Sequence, residues 1–290
     1  MSSIPPPPAS YGNLPPPSRR SLPPVAPPEP TVFEHYRDRV LRLVFHLGQV
    51  ALLTGRTFKS VPKRPLETTS TLNQMLALGV KSMGIVTVTS VFIGMVMAIQ
   101  FAFGLRRFGG LEYIPRVIVL SFARELAPTL TAVIVGGRIG SGMAAEVGAM
   151  NVTEQIDAIR ALGADPAKKL VAPRVVAAML VMPLLATYAL FLGTVGAVFI
   201  CWAQFDIAPY LFYRSSLEAV QLADFFSGVA KTPVFGYIIA IVGCHFGLMT
   251  EGGTEGVGKA TTKSVVVTAI AILIADFILT RLSVLVWPTG

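Results

Sequence analysis

The chain has 290 residues and a formal net charge of +8; hydrophobic residues make up 53% of it and charged residues only 14%. A soluble domain carries about 25% charged residues, so this composition excludes an ordinary soluble enzyme, and it also excludes a charge-rich disordered chain. The mean hydropathy of +0.64 and the basic balance indicate an integral membrane protein rather than a protein that binds nucleic acid. The cysteines, Cys201 and Cys244, lie in separate apolar stretches and predict neither a disulfide framework nor a metal site.

The first 60 residues form two segments of different composition. Residues 1–30 hold 12 prolines, which prevent a helix and favour extended polyproline II, so a disordered tail is predicted. A ligand for an aromatic-lined groove is the alternative. Residues 31–60 repeat apolar residues at three- and four-residue steps opposite a basic polar side. That pattern predicts an amphipathic helix, which lies in the membrane interface or docks on a soluble surface.

Residues 61–290 are predicted to form an all-α membrane domain with five transmembrane helices. A spanning helix needs about 20 apolar residues, and the chain has three uncharged stretches and two interrupted ones of sufficient length. The predicted spans are about 82–105, 117–138, 175–202, 232–250 and 264–287. Lysine and arginine number 14 on one side of these spans and 5 on the other, which predicts a cytoplasmic N-terminus.

Ionisable residues interrupt the second and fifth spans, where they are costly and usually face a cavity or a partner. They are Arg124 and Glu125 in the second span and Asp276 and Arg281 in the fifth. Their depths match within one helical turn and predict either a Glu125–Arg281 or an Arg124–Asp276 pair beside an outward-opening polar pocket. A purely structural charge pair is the alternative. Because sequence neighbours do not face each other on an α-helix, Arg124 and Glu125 are expected to find partners elsewhere and not in each other.

Small residues recur at every fourth position at the end of the second span. One row contains Gly136, Gly140 and Ala144, and a second contains Gly137, Ser141 and Ala145. Such rows let helix backbones approach closely within a membrane. We therefore predict tight helix packing or dimerisation along this stretch.

A short amphipathic segment, residues 151–162, connects the second and third spans. Asn151 is the predicted N-cap, Glu154 follows three residues later as in a capping box, and Gly163 supplies a stop signal. The segment is too short and too polar to span, so we predict a cytoplasmic helix that docks into a groove on a soluble partner. A surface helix that packs on its own protein is the alternative. The predicted docking residues are Glu154, Gln155, Ile156, Asp157, Ile159 and Arg160.

Two other motifs carry less functional weight. Residues 253–260 nearly match the phosphate-binding pattern G-x4-G-K-[ST], but Ala260 stands at the last position and a membrane span precedes the segment where a strand is required. Nucleotide binding by this chain is therefore not predicted; if ATP drives it, a different chain hydrolyses the ATP. His245 is a single histidine near a helix end, for which a structural role is predicted.

The central part of the chain resembles the MlaE/YrbE permeases, the membrane subunits of MCE-associated ABC transporters that move lipids across the bacterial envelope. The resemblance covers roughly residues 35–287 and is densest over 124–174. It is carried by Arg124-Glu125-Leu126-Ala127-Pro128, Gly137-Arg138-Ile139-Gly140-Ser141, Ala144-Ala145-Glu146, Val152-Thr153-Glu154-Gln155-Ile156-Asp157-Ala158 and Pro173-Arg174.

The resemblance implies a homodimer in the bacterial inner membrane, without catalytic chemistry or a cofactor of its own. It implies a cytoplasmic ABC ATPase subunit (MlaF-like) that binds ATP and Mg²⁺ and docks on 151–162, a periplasmic MCE-domain protein (MlaD-like), and in some systems a STAS-domain subunit. Phospholipid or a related lipid would occupy a pocket at the dimer interface that includes Arg124 and Glu125. Met95, Val96 and Ile99 are candidates for contact with acyl chains, and core packing is the default alternative for them.

Two other functions remain possible from the residues alone. An ion-coupled secondary transporter would use Glu125 and Asp276 as a proton relay, although the chain shows no inverted repeat with matching broken helices. A membrane scaffold would tolerate the loss of Arg124 and Glu125 without any change in lipid handling.

Overall fold

The structure is a computed structural model that describes residues 32–60 and 68–286, and all regular secondary structure in those residues is helical. The α-helices are α1 (Val32–Ser60), α2 (Thr68–Arg106), α3 (Ile114–Ser121), α4 (Ala127–Val152), α5 (Gln155–Ala161), α6 (Ala172–Phe205), α7 (Pro209–Ala219), α8 (Leu222–Leu248) and α9 (Gly253–Val286). A 3₁₀ turn covers Leu111–Tyr113, and π-helical turns cover Phe122–Leu126 and Ala167–Val171. The proline-rich segment 1–30 lies outside the described residues, so its disorder stays a prediction.

Five helical segments within the described residues are long and apolar enough to cross a membrane, which confirms the predicted number of spans. They are Thr69–Arg106, Leu111–Val152, Ala167–Phe205, Leu222–Leu248 and Gly253–Leu285. All five begin before the predicted bounds, because the prediction started or stopped each span at a charged residue. Lys81, Arg174 and Lys231 in fact lie inside helices.

Successive spans run in opposite directions, so residues 68–286 form a bundle with two ends. We call them the Thr68 end, where α2, α6 and α9 begin, and the Arg106 end, where these helices finish. The short helix α5 lies at the Thr68 end and α7 at the Arg106 end. The lysine and arginine count predicts that the Thr68 end faces the cytoplasm.

Glycines set the closest contacts between the spans. Helix α2 packs along α6, and α4 packs on both α8 and α9. A Cβ atom on Gly94 would overlap the carbonyl oxygen of Gly193, and a Cβ atom on Gly196 would overlap that of Val91. Because no side chain separates the two backbones at these points, α2 and α6 lie in direct backbone contact, as small residues permit in membrane bundles.

Helix α1 falls in the segment where an amphipathic helix was predicted, and it crosses the boundary between two units of the chain, residues 1–45 and 46–290. Within the second unit, Nδ1 of His46 lies 3.1 Å from Nε2 of His245, and the hydroxyls of Thr54 and Tyr237 form a hydrogen bond. The single histidine of α8 is therefore paired with a histidine of α1. The location of α1 in the membrane interface stays a prediction.

Candidate functional site

A cavity of about 430 Å³ opens between the spans, nearer the Arg106 end of the bundle, and we call it the Glu125 cavity. Its lining residues are Met97, Leu120, Ser121, Arg124, Glu125, Leu126, Ser227, Thr280, Ser283 and Val284. Apolar side chains, hydroxyl groups and two opposite charges therefore line the same cavity. A cavity of this size that is partly apolar, with a few convergent polar groups, is the usual form of a small-molecule site.

The π-helical turn Phe122–Leu126 brings Arg124 and Glu125 to the same cavity, although they are neighbours in sequence. A π-helical turn closes its hydrogen bond over five residues instead of four, as the bond from the Ala127 amide to the Phe122 carbonyl shows here. The wider turn changes the directions in which successive side chains point. As expected for sequence neighbours, the two residues have different partners and do not pair with each other: Arg124 binds Asp224 and Glu125 binds Lys231.

Pro128 explains part of the local geometry. A proline has no N–H, so Pro128 cannot donate the helical hydrogen bond to the carbonyl of Arg124 four residues earlier. The ammonium of Lys231, on α8, donates to that carbonyl instead, at 3.2 Å. A side chain from another span thus donates to this carbonyl in place of the N–H that Pro128 lacks.

Lys231 is the centre of a buried charge cluster. Its side chain is only 4% exposed, and its Nζ lies 2.8 Å from Oε1 of Glu125 and 3.5 Å from Oδ1 of Asp276. It also donates to the Thr280 hydroxyl at 2.7 Å, and that hydroxyl donates to Glu125 at 3.1 Å. One ammonium therefore joins carboxylates of the second and fifth spans. Charged groups at this depth are stable only when they are paired in this way.

A second ion pair ties the π-helical turn to the start of α8. Nε of Arg124 lies 2.8 Å from Oδ1 of Asp224, whose side chain is 6% exposed. The other carboxylate oxygen of Asp224 accepts the backbone N–H of Gln221 at 3.0 Å, within a capping box that begins α8. Asp224 therefore both caps its own helix and holds Arg124 at the cavity.

The predicted charge pairs are wrong in their partners. Arg281 is exposed, and Glu125 binds Lys231 instead; Arg124 binds Asp224 and not Asp276. The second and fifth spans nevertheless meet at this depth, through Glu125 and Thr280. Neither Lys231 nor Asp224 is among the partners predicted from the sequence. A capping-box pattern could have indicated Asp224, because this residue stands three positions after Gln221. The pattern marks the first turn of α8, which begins before the uncharged stretch taken as the fourth span.

Exposure separates the cluster into buried and accessible groups. Asp224 and Lys231 are buried, whereas the side chains of Arg124 and Glu125 are 31% and 39% exposed. The cavity therefore presents one guanidinium and one carboxylate to a ligand, next to the apolar side chains of Met97 and Leu120. Opposite charges beside an apolar wall can bind the polar head and the first part of the tail of an amphiphile.

The predicted acyl-chain residues of α2 do not line this cavity. Val96 is 54% exposed and lies on the outer surface of the bundle, while Met95 and Ile99 pack against the core. Met97 takes their place in the wall. Which residues of α2 face the cavity depends on the rotation of this helix about its own axis. The nearly uniform apolar sequence of α2 does not specify that rotation.

The row of small residues on α4 packs inside this chain. Gly140 brings its carbonyl oxygen to 2.8 Å from the position of a Cβ atom on Gly243 of α8. A Cβ atom on Gly136 would meet Ile239 at 3.1 Å, and Ala144 is fully buried. The second row is partly open, since Gly137 and Ser141 are only half-buried. Close packing of α4 on α8 therefore accounts for the first row without a second copy of the chain.

The connection between α4 and α6 differs from its predicted form. Helix α5 is only Gln155–Ala161, because α4 continues to Val152 and Asn151 belongs to it. The Asn151 amide donates to the carbonyl of Thr250 instead of capping a helix. Glu154 has a left-handed backbone, with φ of 58°, and makes no capping hydrogen bond. The predicted capping box was therefore wrong, whereas Gly163, with φ of 75°, ends the segment as expected.

The predicted docking residues of this segment divide into two sets. Ile156 is fully buried and Ile159 packs partly against the core, so these two attach α5 to its own protein. The exposed members are Glu154, Gln155, Asp157 and Arg160, of which Asp157 and Arg160 form an ion pair at 2.8 Å. Leu162, which was not in the predicted set, is 85% exposed. A partner can therefore reach the polar surface and Leu162, but not Ile156.

Comparisons with known proteins agree with this architecture. The family described as permease MlaE matches residues 71–282. A Synechocystis protein named "Probable ABC transporter permease protein slr1045" is 44% identical over 230 residues, 79% of this chain and 88% of that protein. A Rickettsia typhi protein, "Probable ABC transporter permease protein RT0041", is 39% identical over 81% of this chain and 91% of its own length. The Arabidopsis thaliana protein "TRIGALACTOSYLDIACYLGLYCEROL 1, chloroplastic" is 38% identical over 79% of this chain and 66% of its own length.

Proposed function

The chain belongs to the MlaE permease family of ABC transporter membrane subunits, and on that premise we propose that it moves phospholipids or related lipids between the bacterial inner membrane and a periplasmic MCE-domain protein. A separate ABC ATPase subunit supplies the energy, with ATP and Mg²⁺ bound there. The observation that carries the proposal is the Glu125 cavity, where a guanidinium and a carboxylate stand beside apolar walls in the membrane-spanning region.

In this proposal the accessible charges bind the head group. The Arg124 guanidinium suits a phosphate oxygen, because guanidinium groups bind phosphate with directed hydrogen bonds. Glu125 suits an ammonium or hydroxyl of the same head group. The apolar residues Met97, Leu120 and Val284 contact the first part of the acyl chains. The name of the Arabidopsis relative refers to a glycerolipid, which favours a lipid cargo for this family member as well.

The partners are proposed from the family and from the exposed surfaces. The least buried span is α9, which carries a long apolar face and supports a homodimer in which the two Glu125 cavities lie near each other. The MCE-domain protein belongs at the Arg106 end, where α7 exposes Tyr210, Tyr213 and Leu217. The orientation with the N-terminus in the cytoplasm and a STAS-domain subunit on the ATPase are part of the same proposal.

Glu125→Gln tests the cargo directly. We expect the variant to fold but to retain about tenfold less lipid through purification, because it loses the charged acceptor at the cavity wall. Mass spectrometry of the lipid extracted from the purified protein measures the amount and names the head group. Glu255→Gln, on an exposed carboxylate at the Thr68 end, is the matched control. Equal lipid in Glu125→Gln and the control, or no lipid on the wild-type protein, would contradict the proposal.

The energy source separates this function from an ion-coupled transporter that uses Glu125 and Asp276. Proteoliposomes that contain the chain and its ATPase subunit are loaded with a fluorescent phospholipid, and its release to the MCE-domain protein is followed. We expect release to require ATP and to be insensitive to an imposed proton gradient. Release driven by the gradient without ATP would establish the alternative.

Attachment to the ATPase is tested at α5. We expect Leu162→Asp to weaken binding of the ATPase subunit at least about tenfold without lowering the unfolding temperature, because Leu162 is exposed and contributes nothing to the core. Ile156→Asp should instead lower the unfolding temperature, because it buries a charge. Leu217→Asp at the opposite end is the control for an exposed leucine. Co-purification of the two subunits measures binding; full binding by Leu162→Asp would contradict docking at this segment.

A further inference from the structure

A second cavity, of about 590 Å³, lies toward the Thr68 end between α2, α4 and α9, and we call it the Arg138 cavity. Its charged lining residues are Lys81, Arg138 and Glu146. Arg138 follows Glu125 by thirteen residues along the second span, which corresponds to about 20 Å at the helical rise. The two cavities share no lining residue, so this one requires a separate account.

The charges of the Arg138 cavity do not balance. Glu146 forms an ion pair at 3.1 Å with Arg174, whose side chain is 6% exposed, so its negative charge is already neutralised from α6. Among the described residues, no carboxylate lies within 4.0 Å of Lys81 or Arg138. Two cations therefore face this cavity without a counter-charge.

Arg138 is held in place by a neutral group. Its Nη1 donates to the Ser82 hydroxyl at 2.9 Å, and that buried hydroxyl in turn donates to the carbonyl of Leu78 at 2.6 Å. A hydroxyl orients the guanidinium but does not compensate its charge. Ser141 and Gly142, both small, line the cavity beside it and leave space in front of the guanidinium.

A half-buried cation inside a membrane span is costly unless an anion compensates it. An arginine with a lysine nearby is a combination suited to a phosphate, since the guanidinium binds two oxygens and the ammonium adds a point charge. We propose that the Arg138 cavity binds the phosphate of an anionic lipid head group from the leaflet at the Thr68 end. The transporter then has two head-group sites, one toward each end of the bundle, of which this one carries the excess positive charge.

The inference rests on the proposed function only in taking its ligand from the bilayer. The test counts lipids bound to the purified full chain by native mass spectrometry during titration with a short-chain phosphatidic acid. Diacylglycerol with the same chains lacks the phosphate, and inorganic phosphate lacks the chains. We expect one more bound phosphatidic acid per wild-type chain than per chain of the Lys81→Gln, Arg138→Gln double variant, and a loss of affinity of about tenfold or more at that site.

Controls separate this site from the rest of the molecule. Lys263→Gln removes an exposed lysine of α9 at the same end and should leave the additional lipid bound. Arg138→Lys keeps the charge and should retain most of the binding. Because Lys81 is exposed, Lys81→Gln will fold even if Arg138→Gln does not, and it should weaken the site by itself.

Three results would overturn the second site. Unchanged phosphatidic acid binding in Lys81→Gln and in the double variant would exclude these cations as ligands. Equal binding of diacylglycerol would exclude the phosphate as the recognised group. Displacement of the lipid by inorganic phosphate at equal concentration would make a free anion the occupant. In all three cases lipid that co-purifies in the Glu125 cavity would leave the proposed transport function intact, whereas absence of any lipid from the wild-type protein would count against that function itself.

Discussion

Lys231→Met should lower the free energy of unfolding by about 3–5 kcal/mol, the usual result of removing one member of a buried ion pair. Methionine fills a similar volume but donates no hydrogen bond. The substitution therefore leaves the carboxylates of Glu125 and Asp276 without the cation that separates them, and the carbonyl of Arg124 without its donor. Thermal unfolding of the purified protein in detergent measures the loss.

The control for this prediction is Lys263→Met, which changes an exposed lysine of α9 and should leave the unfolding temperature unchanged. A triple variant provides a second check. Adding Glu125→Gln and Asp276→Asn to Lys231→Met removes the two unpaired charges, and we expect it to recover a large part of the lost stability. If Lys231→Met unfolds at the wild-type temperature, the buried cluster is not a stabilising feature of the second, fourth and fifth spans.

Gly94→Ala should be destabilising by about 3 kcal/mol or more, although it adds a single methyl group. The new Cβ would overlap the carbonyl oxygen of Gly193, which is backbone and cannot rotate away. Helices α2 and α6 would have to separate along their whole shared surface, and overpacking of this kind is costly even where side chains can adjust. The yield of monodisperse protein and its unfolding temperature measure the effect.

Gly84→Ala makes the same change ten residues earlier on the same helix. A Cβ atom at position 84 meets nothing within 4 Å, so we expect a neutral or slightly stabilising effect, up to about 1 kcal/mol from the higher helix propensity of alanine. Equal behaviour of the two variants would show that the approach of α2 to α6 is looser than the backbone contact at Gly94 indicates.

The spans could be predicted from the sequence because hydrophobicity over a membrane thickness is a strong signal. Their ends could not, since the rule that stops a span at a charge fails wherever the charge is paired inside the bundle. Lys231 is the clearest case: its four contacts come from the second and fifth spans, and no local pattern around residue 231 indicates them. Arg138 also lies well inside its span, where the Ser82 hydroxyl holds its guanidinium.

The candidate site was predicted in part. Arg124 and Glu125 stood out as charges within an apolar stretch, and the structure brings both to one cavity. The directions of their side chains depend on the π-helical turn, which is an irregularity of one residue and has no reliable sequence signature beyond the nearby Pro128. The segment 151–162 shows the opposite case. Its apolar spacing at Ile156 was recognised, but spacing alone does not distinguish a residue that attaches a helix to its own protein from one that attaches a partner.

Lys231 connects the Glu125 cavity to the backbone of the second span. The same ammonium compensates Glu125 and donates to the Arg124 carbonyl, to which Pro128 cannot donate. A bound molecule that draws the Glu125 carboxylate toward itself would pull on the Lys231 ammonium. It would thereby weaken the hydrogen bond from Lys231 to the Arg124 carbonyl. Occupancy of the cavity and the geometry of the π-helical turn are in this way thermodynamically linked through one side chain.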